Sequence, residues 1–96
     1  MNKRIIINGA KYPVRMTMGA FLYFKRETGR DVSEIKNTDV ADLVTFLWCI
    51  VAAASAADKV PFNLSLEEFA NALTPDALSI LEDVSGDEEG AKKKTE

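Results

Sequence analysis

The sequence predicts a mainly α-helical α+β domain: an N-terminal β-hairpin, about four helices, and a disordered, charged C-terminal tail. Three observations carry this reading. Asn8-Gly9 separates two short runs in which apolar and polar residues alternate. Residues 43–57 read LVTFLWCIVAAASAA, without a single charge. Residues 85–96, SGDEEGAKKKTE, contain one apolar side chain, Ala91. The expected single domain spans residues 1–84, with the hairpin at about 4–15, helices at about 18–28, 39–57, 66–73 and 75–84, and the tail at 85–96.

Asn-Gly is the strongest two-residue hairpin signal, because a type I′ turn needs positive φ at both central positions. With a two-residue loop, Ile7 faces Ala10 and Ile5 faces Tyr12. One face of the hairpin then carries Ile5, Ile7, Ala10, Tyr12 and Val14, and the other Arg4, Ile6, Lys11, Pro13 and Arg15. Pro13 has no N–H to give a ladder, so its strand lies at an edge there. A lone hairpin is unstable in water, so its apolar face rests on helices or on another chain.

Thr17 is placed to cap a first helix, and Gly29 to close it. Lys25 and Arg26 near its end complement the helix dipole. Arg30 to Lys36 reads as a turn or a short helix. Thr38 is placed to cap the long second helix, with Asp39 and Asp42 in its first turn. Val40, Leu43, Val44, Phe46, Leu47, Trp48, Ile50 and Val51 wrap most of its circumference. Such a helix is buried on all sides, and a chain of 96 residues has little material to do that. Either it is the central core element or part of it faces another subunit. Ser65-Leu66-Glu67-Glu68 is a capping box that opens a third helix. Thr74-Pro75 repeats a start signal for the fourth, which presents Leu78, Ile80, Leu81 and Val84.

Composition narrows the function. Apolar residues make up 47% and charged residues 28% of the chain, a globular balance. The uncharged run of 43–57 is shorter than the roughly 20 residues of a membrane span, so it reads as buried core. The basic start lacks an apolar run long enough for a signal peptide. The single cysteine, Cys49, leaves no internal disulfide and sits in the most apolar helix, where a thiol is inert. There is no histidine, no glycine loop for phosphate and no calcium-loop spacing of carboxylates. We therefore expect no catalytic residue, metal or cofactor. Residues 1–36 hold eight Lys/Arg against three Asp/Glu, and residues 37–96 hold four against twelve. That asymmetry suits a basic face and an acidic face meeting head to tail in a homo-oligomer. No basic stripe with interleaved aromatics suggests nucleic acid.

The order of elements carries a resemblance. A short basic hairpin leads into Thr17-Met18-Gly19-Ala20-Phe21-Leu22-Tyr23-Phe24-Lys25-Arg26-Glu27-Thr28-Gly29-Arg30-Asp31-Val32, then Asp42-Leu43-Val44-Thr45-Phe46-Leu47-Trp48-Cys49, then Leu64-Ser65-Leu66-Glu67-Glu68-Phe69 and a charged end. Over about residues 10–82 this resembles the small tail assembly chaperones of long-tailed bacteriophages and prophages. The motifs concerned are packing and capping motifs. The resemblance implies a non-catalytic protein of the bacterial host's cytoplasm, absent from the mature virion. Its partners would be the tape-measure protein, whose apolar helices it keeps soluble, and the tail-tube protein. Phe21, Phe24, Phe46, Leu47 and Trp48 are expected to divide between core, self-association and a client groove. The alternatives are a structural phage tail subunit, such as a tail-completion or connector protein, and a small bacterial adaptor.

Many such chaperones are also made as a longer, frameshifted form. Lys92-Lys93-Lys94 can be encoded by a slippery adenine run, or can simply solubilise the tail. Sequencing the gene tests the first reading: it requires that run together with an overlapping downstream frame, and a gene lacking either contradicts it.

Overall fold

Positive φ at Asn8 (53°) and Gly9 (85°) turns the chain back on itself in the expected type I′ manner. The structure, a computed structural model, describes residues 3–36 and 39–81. Strand β1 (Lys3–Ile7) pairs antiparallel with β2 (Ala10–Val14), Ile7 opposite Ala10 and Ile5 opposite Tyr12. The two-residue turn makes Ile7 and Ala10 a hydrogen-bonded pair, and such pairs alternate with non-hydrogen-bonded ones. Ile6–Lys11 and Arg4–Pro13 are therefore of the second kind. Pro13 stands where the ladder asks nothing of its nitrogen, so the strand tolerates it. Ile5, Ile7 and Val14 are buried on the inner face and Tyr12 is half-buried, while Ala10, expected on that face, is exposed beside the turn.

Helix α1 (Met18–Thr28) has the expected bounds and buries Ala20 and Phe24. Thr17 occupies its N-cap position, but its side chain makes no capping bond, contrary to expectation. Its carbonyl accepts from the Ala20 N–H at 3.1 Å, and its hydroxyl is buried without a partner. The start of α1 also crosses the next helix closely. A Cβ placed on Gly19 would stand 3.3 Å from the Ala53 Cβ and 3.4 Å from Thr17 Oγ1.

The exit of α1 is a built corner. Gly29, left-handed at φ 77°, donates its N–H to the Lys25 carbonyl at 2.7 Å. The Thr28 hydroxyl donates to the Phe24 carbonyl at 2.8 Å and accepts from the Arg30 N–H at 3.0 Å. That aims the Arg30 guanidinium at both oxygens of Asp42, at 3.0 and 2.5 Å. A short 3-10 turn, Val32–Glu34, lies between them in sequence, and Val32 and Ile35 pack against the core.

Helix α2 (Val40–Ala57) follows. Asp39 caps it, its side chain accepting from the Asp42 N–H at 3.3 Å. Thr38, expected as the cap, lies outside the described residues. Phe24 meets Phe46 edge-on at 5.8 Å, Phe21 stacks on Phe46 at 6.3 Å, and Gly19 lies against Ala53, so α1 and α2 run antiparallel. By length and composition α2 could cross a membrane, but half of it is buried inside this domain, as in a core helix. Its end is closed by Lys59, a left-handed residue at φ 60°. The Lys59 N–H bonds the Ala56 carbonyl at 3.3 Å and the Val60 N–H bonds the Ser55 carbonyl at 2.8 Å. That is a Schellman closure made without glycine.

The connection to α3 (Leu66–Ala72) lies across α2. The Trp48 indole N–H donates to the Leu64 carbonyl at 3.0 Å. Tyr12, Phe62 and Phe69 form an edge-to-face chain, with centroids 5.1 and 6.0 Å apart, that joins the hairpin to α3. The capping box is present: Ser65 Oγ accepts from the Glu68 N–H at 3.1 Å and Glu68 accepts from the Ser65 N–H at 3.0 Å. The fourth helix differs from expectation. Pro75–Leu78 is a 3-10 helix, its Ala77 N–H bonding the Thr74 carbonyl at 2.9 Å, and only residues 79–81 continue as α-helix within the described residues. Tightened i→i+3 turns are common where a helix begins. The expected continuation through 82–84 and the tail of 85–96 lie outside the described residues.

The Arg30 hydrogen bonds hold the Asp42 carboxyl below its ordinary pKa, against the opposing effect of burial. A depressed folded value means the pair stabilises the fold above the unfolded pKa of about 3.9 and is lost as pH falls through the folded value. Thermal unfolding followed by circular dichroism should show Asp42→Asn less stable than the parent at neutral pH and less sensitive to acid below about pH 4. Lys59→Gly should raise stability by about 1 kcal/mol in urea unfolding, because glycine adopts the left-handed closure freely.

Candidate functional site

The expected contact residues separate by position. Phe24 and Leu47 have no exposed surface and Phe46 retains 9%. All three belong to the core, as their helices require: Ala20 and Phe24 lie one turn apart on the side of α1 that meets α2. Of the expected division between core, self-association and client groove, these three take the core share. Phe21 and Trp48 are half-buried. Phe21 leans on Phe46, and Trp48 lies under the connection it bonds at Leu64.

The apolar surface that does face outward lies elsewhere. Met18 is 73% and Leu22 68% exposed. They stand four residues apart on α1, so their side chains are neighbours on one face. At about 100° per residue this face is opposite the one defined by Ala20 and Phe24. Phe21 flanks it, and exposed Lys25 and Arg26 follow it along the helix. Arg26 lies over the Tyr23 ring at 5.0 Å and Lys25 is 3.6 Å from Asp31. The strip is therefore apolar at the start of α1 and cationic at its end. Its signal in the sequence is the i, i+4 pair on the wrong side of the helix, which is hidden by the run Phe21-Leu22-Tyr23-Phe24. Ile6 and Val40 are exposed too, at 62% and 57%, on the outer face of the hairpin and at the start of α2.

The charge asymmetry is used in part within the chain. Arg15 from the basic part meets Asp58 from the acidic part at 2.7 Å, as Arg30 meets Asp42. The Arg15 side chain holds the Asp58 carboxyl below its ordinary pKa. Burial pushes the Cys49 thiol up to about 12, with the Glu27 charge adding to it, so the thiol is protonated at neutral pH. Among the described residues no group of three or more Cys, Asp or Glu is gathered closely enough to hold a metal ion. The stretch Phe24-Lys25-Arg26-Glu27-Thr28-Gly29-Arg30 is a structural corner: core ring, helix end, left-handed closure and ion pair. Comparison with family models, curated proteins and solved structures returns no match.

Urea unfolding should sort these side chains. Phe24→Ala is expected to cost about 3–5 kcal/mol, from lost contacts and the cavity left behind. Met18→Gln and Leu22→Gln should each fall within about 0.5 kcal/mol of the parent. Trp48→Ala should lie between these limits, since it removes a partly buried ring and an indole hydrogen bond.

Proposed function

We propose that this chain is a non-catalytic tail assembly chaperone of a long-tailed bacteriophage, which binds the apolar helices of the tape-measure protein and keeps them soluble until tail-tube subunits are added. The observation that supports this best is the outward pair Met18 and Leu22 on a helix whose opposite side already fills the core. An apolar strip on a rigid helix suits a client that is itself an amphipathic helix, anchored through its own i, i+4 residues. Lys25 and Arg26 at the end of the strip favour clients with carboxylates one or two turns beyond their apolar anchors. The resemblance of residues 10–82 to such chaperones points the same way. In this reading the protein works in the cytoplasm of the bacterial host and leaves before the virion is complete.

Co-expression with the tape-measure protein of the same phage tests the proposal. The tape-measure protein should stay in the soluble fraction with the parent chain and sediment with a Met18→Asp/Leu22→Asp variant that keeps the parent's circular dichroism. Equal solubility with the parent, with the variant and without either contradicts it. Recovery of the chain from purified particles would instead identify a structural tail subunit.

A further inference from the structure

Only one edge of the hairpin is fit to accept another strand. In a two-stranded sheet each strand has one side toward its partner and one side open. Residues of the non-hydrogen-bonded pairs, Arg4, Ile6, Lys11 and Pro13, aim their backbone groups at the open sides. On β2, Pro13 offers a carbonyl but no N–H, which interrupts that edge. On β1, Arg4 and Ile6 each offer both groups, and no loop or cap hydrogen bond among the described residues engages them. The 62% exposed Ile6 side chain lies beside this edge. An open strand edge flanked by an apolar side chain is a template for pairing.

We infer that β1 pairs with β1 of a second copy of this chain, antiparallel, about a two-fold axis at Ile5. The strand's own pattern selects the occupant and the register. Outward backbone groups must meet outward backbone groups, so Arg4 and Ile6 must fall opposite such positions. An axis at Arg4 would set two guanidinium groups directly opposite each other, which is repulsive. An axis at Ile6 would run Arg4 against Asn8, in the turn beyond the strand. The axis at Ile5 pairs Arg4 with Ile6 of the partner subunit and Ile6 with Arg4 of the partner subunit, each pair exchanging reciprocal N–H···O bonds. Each arginine stem then covers an exposed isoleucine, and the two guanidinium groups sit on opposite sides of the axis.

The product is a four-stranded sheet with a continuous apolar inner face, a far more self-sufficient unit than a two-stranded hairpin. Pro13 interrupts the remaining outer edges, so pairing closes at two copies instead of propagating. The contact is small, so association is weak and reversible. It involves no tail protein and stands apart from the proposed chaperone activity.

The test uses the purified full chain alone. Sedimentation should show a reversible monomer–dimer equilibrium. As concentration rises, hydrogen exchange should slow at the Arg4 and Ile6 amides but not at Lys11, on the opposite edge. Arg4→Pro removes an outward donor without touching the hairpin ladder, as Pro13 already does, and should weaken the dimer at least about tenfold. Should that variant unfold the hairpin, Ile6→Lys leaves the backbone intact and brings like charges together, with the same loss expected. A chain that stays monomeric while Arg4 and Ile6 exchange freely at every concentration overturns the inference. So does a dimer that neither variant weakens.

Discussion

An eighteen-residue helix with one charged side chain, Asp42, cannot be left in water, and the rest of the chain is arranged to cover it. Nine of its residues are buried, spread around most of its circumference. The hairpin's inner face, α1 and α3 each take a sector, and the connection of residues 58–64 closes another through the Trp48–Leu64 hydrogen bond. Burying apolar surface stabilises by about 25 cal/mol per Å², which is the main favourable term for so small a domain. The polar features of the chain serve that cover. The Arg30–Asp42 pair fixes where α1 ends relative to where α2 begins, and Arg15–Asp58 ties the hairpin's exit to the other end of α2.

Covering α2 from within the chain changes what is left for partners. Phe24, Phe46 and Leu47 are used up as core. The surplus apolar surface is displaced one layer outward, to Met18 and Leu22 on the back of α1 and to Ile6 on the back of the hairpin. These are small patches. Single exposed apolar residues are normal on any protein surface. What sets Met18 and Leu22 apart is their i, i+4 register on a helix whose other side is fully engaged. What sets Ile6 apart is the open strand edge beside it.

Most of the fold was legible in the sequence because local signals were strong and agreed with one another. Asn8-Gly9 fixed the hairpin register to the residue, Gly29 closed α1 where expected, and Ser65 with Glu68 formed the capping box. The misses have physical causes. Lys59 closes α2 in a conformation normally signalled by glycine, so the closure left no mark in the sequence. Thr17 stands at the N-cap but its hydroxyl makes no capping bond, and nothing local in the sequence distinguishes it from a capping threonine. Pro75 set a helix start but not whether its first turn would be 3-10. The outward apolar strip of α1, the proposed binding surface, was the least legible part. Four consecutive large apolar residues, Phe21 to Phe24, look alike in sequence, and only the direction of α2 tells which of them point inward.

Under the proposed function, the back of α1, not the core around α2, meets the client helices. Methyl and amide chemical-shift mapping by NMR, with the tape-measure protein's helical segments titrated into the full chain, tests it most directly. Shifts should centre on Met18, Leu22 and the flanking Phe21, with Leu47 and Ile50 unmoved. Saturable binding that shifts the α2 core and leaves the Met18 and Leu22 signals in place would contradict it.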